Sequence, residues 1–156
     1  MAPTLRQTIA EYLTDHHVMT LSTQGTDGPW AAAVFYVNDA ERLFFLSAPG
    51  SRHCRNLAQD PRCAATIHEN YEDWRQIKGI QLEGHVRELQ GEEQDRARDL
   101  YAQRFPVVGR LANAPSAILA ALARVHWYVL APSRLYFIDN SRGFGHREQI
   151  ELHDQD

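Results

Sequence analysis

The stretch Ser47-Ala48-Pro49-Gly50-Ser51-Arg52-His53-Cys54-Arg55-Asn56-Leu57 carries more capacity for chemistry than any other in this sequence. An apolar strand pattern ends at Ser47, Pro and Gly turn the chain, and Ser51 is placed to cap a helix. The first turns of that helix carry Arg52, His53 and Arg55. A helix N-terminus offers free N–H groups and the positive end of the macrodipole, which suits an anion. The Ser51 hydroxyl adds a hydrogen-bonding group and Arg52 a charge-assisted fork. Together they would form a phosphate cradle without a glycine-rich loop. The competing reading is an ordinary serine cap on a solvated surface helix.

Other motifs offer less. Eight histidines are present, but their spacings include no HExxH and no His paired with Cys at ligand distance, so no metal site is expected. There is no GxSxG elbow, no P-loop and no GxGxxG turn followed by a βαβ unit. Cys54 and Cys63 make neither a CxxC pair nor a disulfide framework. Cys54 follows the cap by three residues and is read as a buried thiol rather than a nucleophile. Of the 16 basic residues only Lys78 is lysine. Arginine forks suit phosphate and carboxylate, and this matters where they cluster, at Arg52 and Arg55.

The elements that must position this cradle follow from periodicity. Thr4 to His17 reads as a helix, with Leu5, Ile9, Tyr12, Leu13 and His16 at three- and four-residue spacing. Val18 to Thr23 alternates as a strand, Gly25-Thr26-Asp27-Gly28 turns, and Trp30 to Val37 is a second strand, apolar on both faces and so expected to be central. Arg42 to Ser47 is a third, giving an antiparallel meander. Ser51 to Gln59 is a short helix stopped by Asp60-Pro61, and Arg62 to Glu69 a fourth strand. Trp74 to Leu89 reads as a long strand in which Gly79 and Gly84 mark bulges or close backbone approach. Helices are expected over Glu92 to Arg104 and Pro115 to Leu122, and two last strands over Val125 to Leu130 and Arg134 to Ile138. This pattern predicts a mainly β fold, an antiparallel barrel with appended helices, rather than a parallel α/β sheet.

The chain has 156 residues, 44% hydrophobic and 23% charged, as expected for one globular domain. Residues 1–147 are read as that domain and 148–156 as a solvated acidic tail. No apolar run approaches 18 residues, so no membrane span is expected, and no secretory signal is recognised. A net charge of −4 weighs against nucleic acid as a partner. The expected compartment is the cytoplasm.

One succession of motifs adds a family. Pro29-Trp30-Ala31-Ala32-Ala33-Val34-Phe35-Tyr36 is followed by Leu43-Phe44-Phe45-Leu46-Ser47 and by Ser51-Arg52-His53. Asp60-Pro61-Arg62, Ala64-Ala65-Thr66-Ile67 and Ile80-Gln81-Leu82-Glu83-Gly84-His85-Val86 come next. In order and spacing this resembles the pyridoxamine-phosphate-oxidase-like, FMN-binding split-barrel superfamily, and within it a bacterial YhbP-like group. The resemblance implies an antiparallel split β-barrel, a homodimer with FMN at the subunit interface, and a flavin-dependent oxidoreductase acting on a small-molecule substrate. It implies that Trp30, Ala33, Val34, Phe35 and Tyr36 run along the flavin ring, mainly through backbone. It places Leu46 and Ser47 beside the ribityl chain and phosphate, Ser51, Arg52 and His53 at the phosphate, and Gln81 near the ring. His53 stands where the oxidases have lysine, with Arg55 close enough to compensate. Trp74 would cover the flavin or fill the dimer seam. The same barrel also resembles non-catalytic haem-binding modules, with His126 or His146 as candidate ligand, and users of the deazaflavin F420. No side chain is singled out as acid, base or nucleophile.

Overall fold

The structure, a computed structural model, describes residues 1–106 and 115–153. Helix α1 (Leu5–Asp15) begins at Thr4, whose hydroxyl accepts from the Gln7 N–H while the Gln7 side chain accepts from the Thr4 N–H. This reciprocal cap satisfies two otherwise free donors. Strands β1 (Val18–Gly25) and β2 (Gly28–Phe35) form a hairpin running from Val18 opposite Phe35 to Gly25 opposite Gly28. Then the chain breaks at Tyr36 and starts a second hairpin, β3 (Val37–Asp39) and β4 (Arg42–Ser47). Helix α2 (Arg52–Gln59), β5 (Arg62–His68), β6 (Lys78–Glu88), α3 (Gly91–Arg104), α4 (Ser116–Ala123), β7 (His126–Asp139) and β8 (Arg147–Glu151) follow.

All strand pairs are antiparallel, in the order β2-β1-β5-β6-β7-β4-β3, with β8 on the free side of part of β7. Since β3 follows β2 directly in the chain yet lies at the far end of this order, the sheet curls into a half-barrel. The expected three-strand meander is therefore two hairpins at opposite ends of one sheet. Tyr36 makes the break. Its ring is fully buried, its hydroxyl donates to Leu13 O at 2.7 Å and its N–H to His17 O at 2.9 Å. Those bonds replace strand pairing at that residue. Trp30 to Phe35, expected to be central, is the edge strand, and its apolar residues are largely exposed.

Strand β7 is one 14-residue strand where two were expected. It passes through Pro132 because a bulge lies there: Glu83 faces Arg134 and Gly84 faces Pro132, leaving Ser133 unpaired. A Cβ on Gly84 would sit 2.3 Å from Ala131 O, so only glycine permits this approach. Trp74–Gln76, expected as strand, is a single 3-10 turn capped by Asp73. Residues 148–151, expected as solvated tail, belong to β8 and pair with β7; residues 154–156 lie outside those described.

Two clusters form the core. The larger fills the concave side, with Ile9 and Leu13 of α1, Leu57 of α2 and inward residues such as Leu21, Phe45, Ile80 and Leu135. The smaller lies on the convex side, where Ala97 and Tyr101 of α3 cover Val37, Phe44, Trp127 and Val129. Over β2, β1, β5 and β6 no described helix covers the convex side. Register aligns Ala33, Thr20, Thr66, Gln81 and Tyr136 in one row there, and Ala31, Ser22, Ala64, Glu83 and Arg134 in the next.

Candidate functional site

Ser51 caps α2 as expected: its hydroxyl accepts from the Cys54 N–H at 3.4 Å. The helix is fastened to the β1–β2 hairpin from below. The buried Asn56 amide donates to the Thr23 hydroxyl at 3.0 Å, and Asn56 lies so close to Gly25 that a Cβ there would meet Oδ1 at 2.0 Å. Cys54 and Leu57 sink into the concave core. The N-terminus of α2 is thus held at the corner where β4 ends and the β2 edge begins.

Several expected residues converge there. Nε2 of His53 lies 2.6 Å from the Ser47 hydroxyl and 3.3 Å from the Ser51 hydroxyl. Burial holds the His53 imidazole below its ordinary pKa and favours the neutral ring. Arg52 stacks on Trp30, its guanidinium carbon 4.4 Å from the ring centroid, and donates to Asp27 O at 3.0 Å. Its Nε is buried and has no hydrogen-bond partner among the described residues. Arg55 turns away and donates to Gly50 O at 2.9 Å.

The others divide by face. Val34 and Tyr36 point into the core, and burial pushes the Tyr36 phenol well above its usual pKa. Trp30 and Phe35 are 41% and 57% exposed, Phe35 meeting Phe105 edge-on at 5.7 Å. Leu46 packs against the convex cluster beside Trp127. Ala33 and Gln81 share the bare row, three strands apart. Trp74 is half exposed and meets Phe144 in a T-shaped contact at 5.6 Å. His126 and His146 stand at opposite ends of β7, each beside a glutamate: His126 Nδ1 is 2.5 Å from Glu88 and His146 Nε2 is 3.6 Å from Glu148. Among the described residues no group of three or more His, Cys, Asp or Glu is placed to hold a metal ion, and no helix is long and apolar enough to cross a membrane.

Sequence reasoning missed the Trp30–Arg52 stack, the Ser47–His53 bond and the Glu88–His126 pair. The Trp30–Arg52 and Glu88–His126 contacts join elements distant in sequence, and no local signal marks them; Ser47 and His53 are six residues apart, but their contact depends on how the chain turns between β4 and α2. It also missed a depression of about 490 Å³ on the bare face, walled by Ser22, Arg62, Ala64, Glu83 and His85 among others.

A curled antiparallel sheet with a serine-capped, arginine-bearing helix at one corner is a split β-barrel of the pyridoxamine-phosphate-oxidase type. The family model described as pyridoxamine 5'-phosphate oxidase matches residues 5–139, and the chain belongs to that family. Within it the chain is similar to the UPF0306 protein YhbP of Shigella sonnei (strain Ss046), 33% identical over 149 residues that cover 94% of this chain and 92% of that one. Two solved structures share the fold. The heme binding protein from Mycobacterium smegmatis superposes with a TM-score of 0.74 at 22% identity, covering 97% of this chain and 59% of its own. The putative pyridoxamine 5'-phosphate oxidase from Listeria innocua gives 0.67 at 14% identity, covering 87% and 99%. At those identities the likeness is one of fold.

Proposed function

We propose that the protein binds FMN as a homodimer, with the flavin at the subunit interface, and acts as an oxidoreductase on a small molecule. One observation carries this reading. Arg52 is held by Trp30 and Asp27 O with its Nε buried and unpartnered, beside a helix N-terminus and two serine hydroxyls. A buried donor without a partner costs about 1–3 kcal/mol. An anion at the head of α2 would satisfy it.

The residues present fit the phosphate of FMN. Ser47, Ser51, Arg52 and His53 would hold it, and Arg55 could join only by leaving Gly50 O. The unpaired edge of β2 leaves backbone N–H and C=O groups free, and such groups can meet the polar rim of a flavin ring. Along that edge run Trp30, Ala33, Val34 and Phe35, with Leu46 and Gln81 on neighbouring surfaces. Once bound, FMN supplies the hydride and electron transfer that no side chain provides. The small alanine, serine and threonine side chains that these rows carry over β2, β1 and β5 suit a second copy, which would close the open side of the site.

The absorption spectrum of the purified protein tests this. A flavin spectrum with one FMN per chain supports the proposal. A Soret band would make the ligand haem, as in the named Mycobacterium smegmatis protein, and failure to take up added FMN would end the flavin reading.

A further inference from the structure

We infer that His126, held by Glu88, forms the sheet-side wall of the anion cradle at the head of α2 and donates to a phosphate monoester bound there. The inference rests on reading that cradle as a phosphate site. Ser47, the last residue of β4, and His126, the first of β7, are directly paired. Side chains of such a pair share one face, with Cβ atoms about 4.5–5.5 Å apart. Two residues further in, Phe45 and Tyr128 stack at 5.3 Å on the concave side. With a period of two, Ser47 and His126 continue that side to its rim. The Ser47 hydroxyl is already part of the cradle through His53 Nε2.

Glu88 ends β6 opposite Tyr128, and its carboxylate lies 2.5 Å from His126 Nδ1. The His126 side chain is 45% exposed, and Nε2 has no hydrogen-bond partner among the described residues. A ring flanked by a carboxylate at one nitrogen and open at the other suits an anion, which would accept from Nε2–H.

The cradle needs such a group. In the free protein burial lowers the His53 pKa, so its ring brings no charge to the cradle before the anion arrives, and its Nε2 is shared with two hydroxyls. Arg55 is committed to Gly50 O. Arg52 is stacked on Trp30 and donates to Asp27 O, with its buried Nε unpartnered among the described residues. The other titratable groups facing this rim are Glu88 and Tyr128 from the sheet and Cys54 from α2. Tyr128 is buried against Cys54, which holds its phenol protonated and leaves it no charge to offer.

The test compares FMN with riboflavin, which lacks the phosphate, by titration into the full chain. His126→Gln should weaken FMN about tenfold, the scale of a hydrogen bond to a charged group, and leave riboflavin unchanged. His126→Lys should restore most of the loss. Inorganic phosphate should compete with FMN less effectively in His126→Gln than in wild type. Arg52→Ala reports on the cradle itself. If Arg52→Ala weakens FMN and His126→Gln does not, the cradle stands and this inference falls. Equal loss of FMN and riboflavin in His126→Gln would mean that the histidine acts through the fold, and also overturns it. If neither variant moves FMN, the phosphate reading fails and takes the inference with it.

Discussion

The Arg52 guanidinium lies 4.4 Å from the centroid of the Trp30 ring, joining the first turn of α2 to the edge strand β2. An arginine side chain in solution has about 2 kcal/mol of rotamer entropy to lose when it is fixed. Stacking on Trp30, worth roughly 0.5–1 kcal/mol at a partly exposed site, and the bond to Asp27 O meet part of that cost before any ligand arrives. The Arg52 side chain is therefore held in place before any ligand arrives.

Arg52→Ala should weaken FMN by about 1.5–3 kcal/mol, the range for hydrogen bonds to charged groups. Trp30→Leu keeps the guanidinium and loses its platform, so the loss should be smaller, roughly 0.5–1 kcal/mol. Neither should change riboflavin affinity through the phosphate. Titration by flavin fluorescence measures all of these. Unchanged FMN affinity in Arg52→Ala would return α2 to an ordinary capped helix.

His53 should link FMN affinity to pH. Burial lowers its pKa in the free protein, while a phosphate beside Nε2 would raise it in the complex. The complex then binds more protons than the free protein between those two values. Affinity is full below the free-protein value, falls by up to about tenfold per pH unit above it, and levels off beyond the raised value. Riboflavin should show no such slope. Replacing His53 with lysine, which stays charged, should flatten the curve for FMN. If wild-type FMN affinity is constant across this window, His53 only orients the two serines.

Asn56 should matter for stability more than for chemistry. Its amide donates to the Thr23 hydroxyl in a buried contact that ties α2 to β1. Asn56→Ala strands that hydroxyl, at a cost of about 1–3 kcal/mol. Gly25→Ala would force a methyl onto Asn56 Oδ1 and strain the same joint from the other side. Both variants should lower Tm, and their effects should not add, because they break one contact. Full additivity in the double variant would show that Gly25 acts elsewhere.

Most local elements are readable in the sequence, the exception being Trp74–Gln76, a 3-10 turn that reads as strand. The Ser51 cap, the helix over Arg52–Gln59 and the close approach at Gly84 all follow from residue type and spacing. Long-range placement was not readable. An apolar run such as Trp30 to Phe35 reads as buried on both faces whether a chain's own strands or a second molecule cover it. Nothing local in Tyr36 announces that its hydroxyl will find Leu13 O and end the strand. Pro132 looked like a boundary, but a bulge two strands wide absorbs it. The corner at the head of α2 shows both sides of this. Ser47, Ser51, Arg52 and His53 lie within seven residues and are legible, while Trp30 and His126 reach the same corner only through sheet register and long-range packing.

The bare convex rows should be the dimer interface. Over β2, β1 and β5 they carry the small side chains Ala31, Ala33, Thr20, Ser22, Ala64 and Thr66, next to the exposed Val18 and Phe35. Small residues let a second sheet approach closely, and a lasting interface of this obligate kind commonly buries about 2,000 Å² or more. Ala33 sits at the β2 end of its row, so arginine there would place an unpaired charge in the seam, a penalty of several kcal/mol. Ala33→Arg should be monomeric by sedimentation at micromolar concentration and should lose FMN with it, while its far-ultraviolet circular dichroism stays that of the wild type. Glu11→Arg, on the exposed side of α1, should leave both the dimer and FMN binding intact. A wild-type monomer, or an Ala33→Arg dimer that still binds FMN, would move the interface off this face and leave the flavin to be held within one chain.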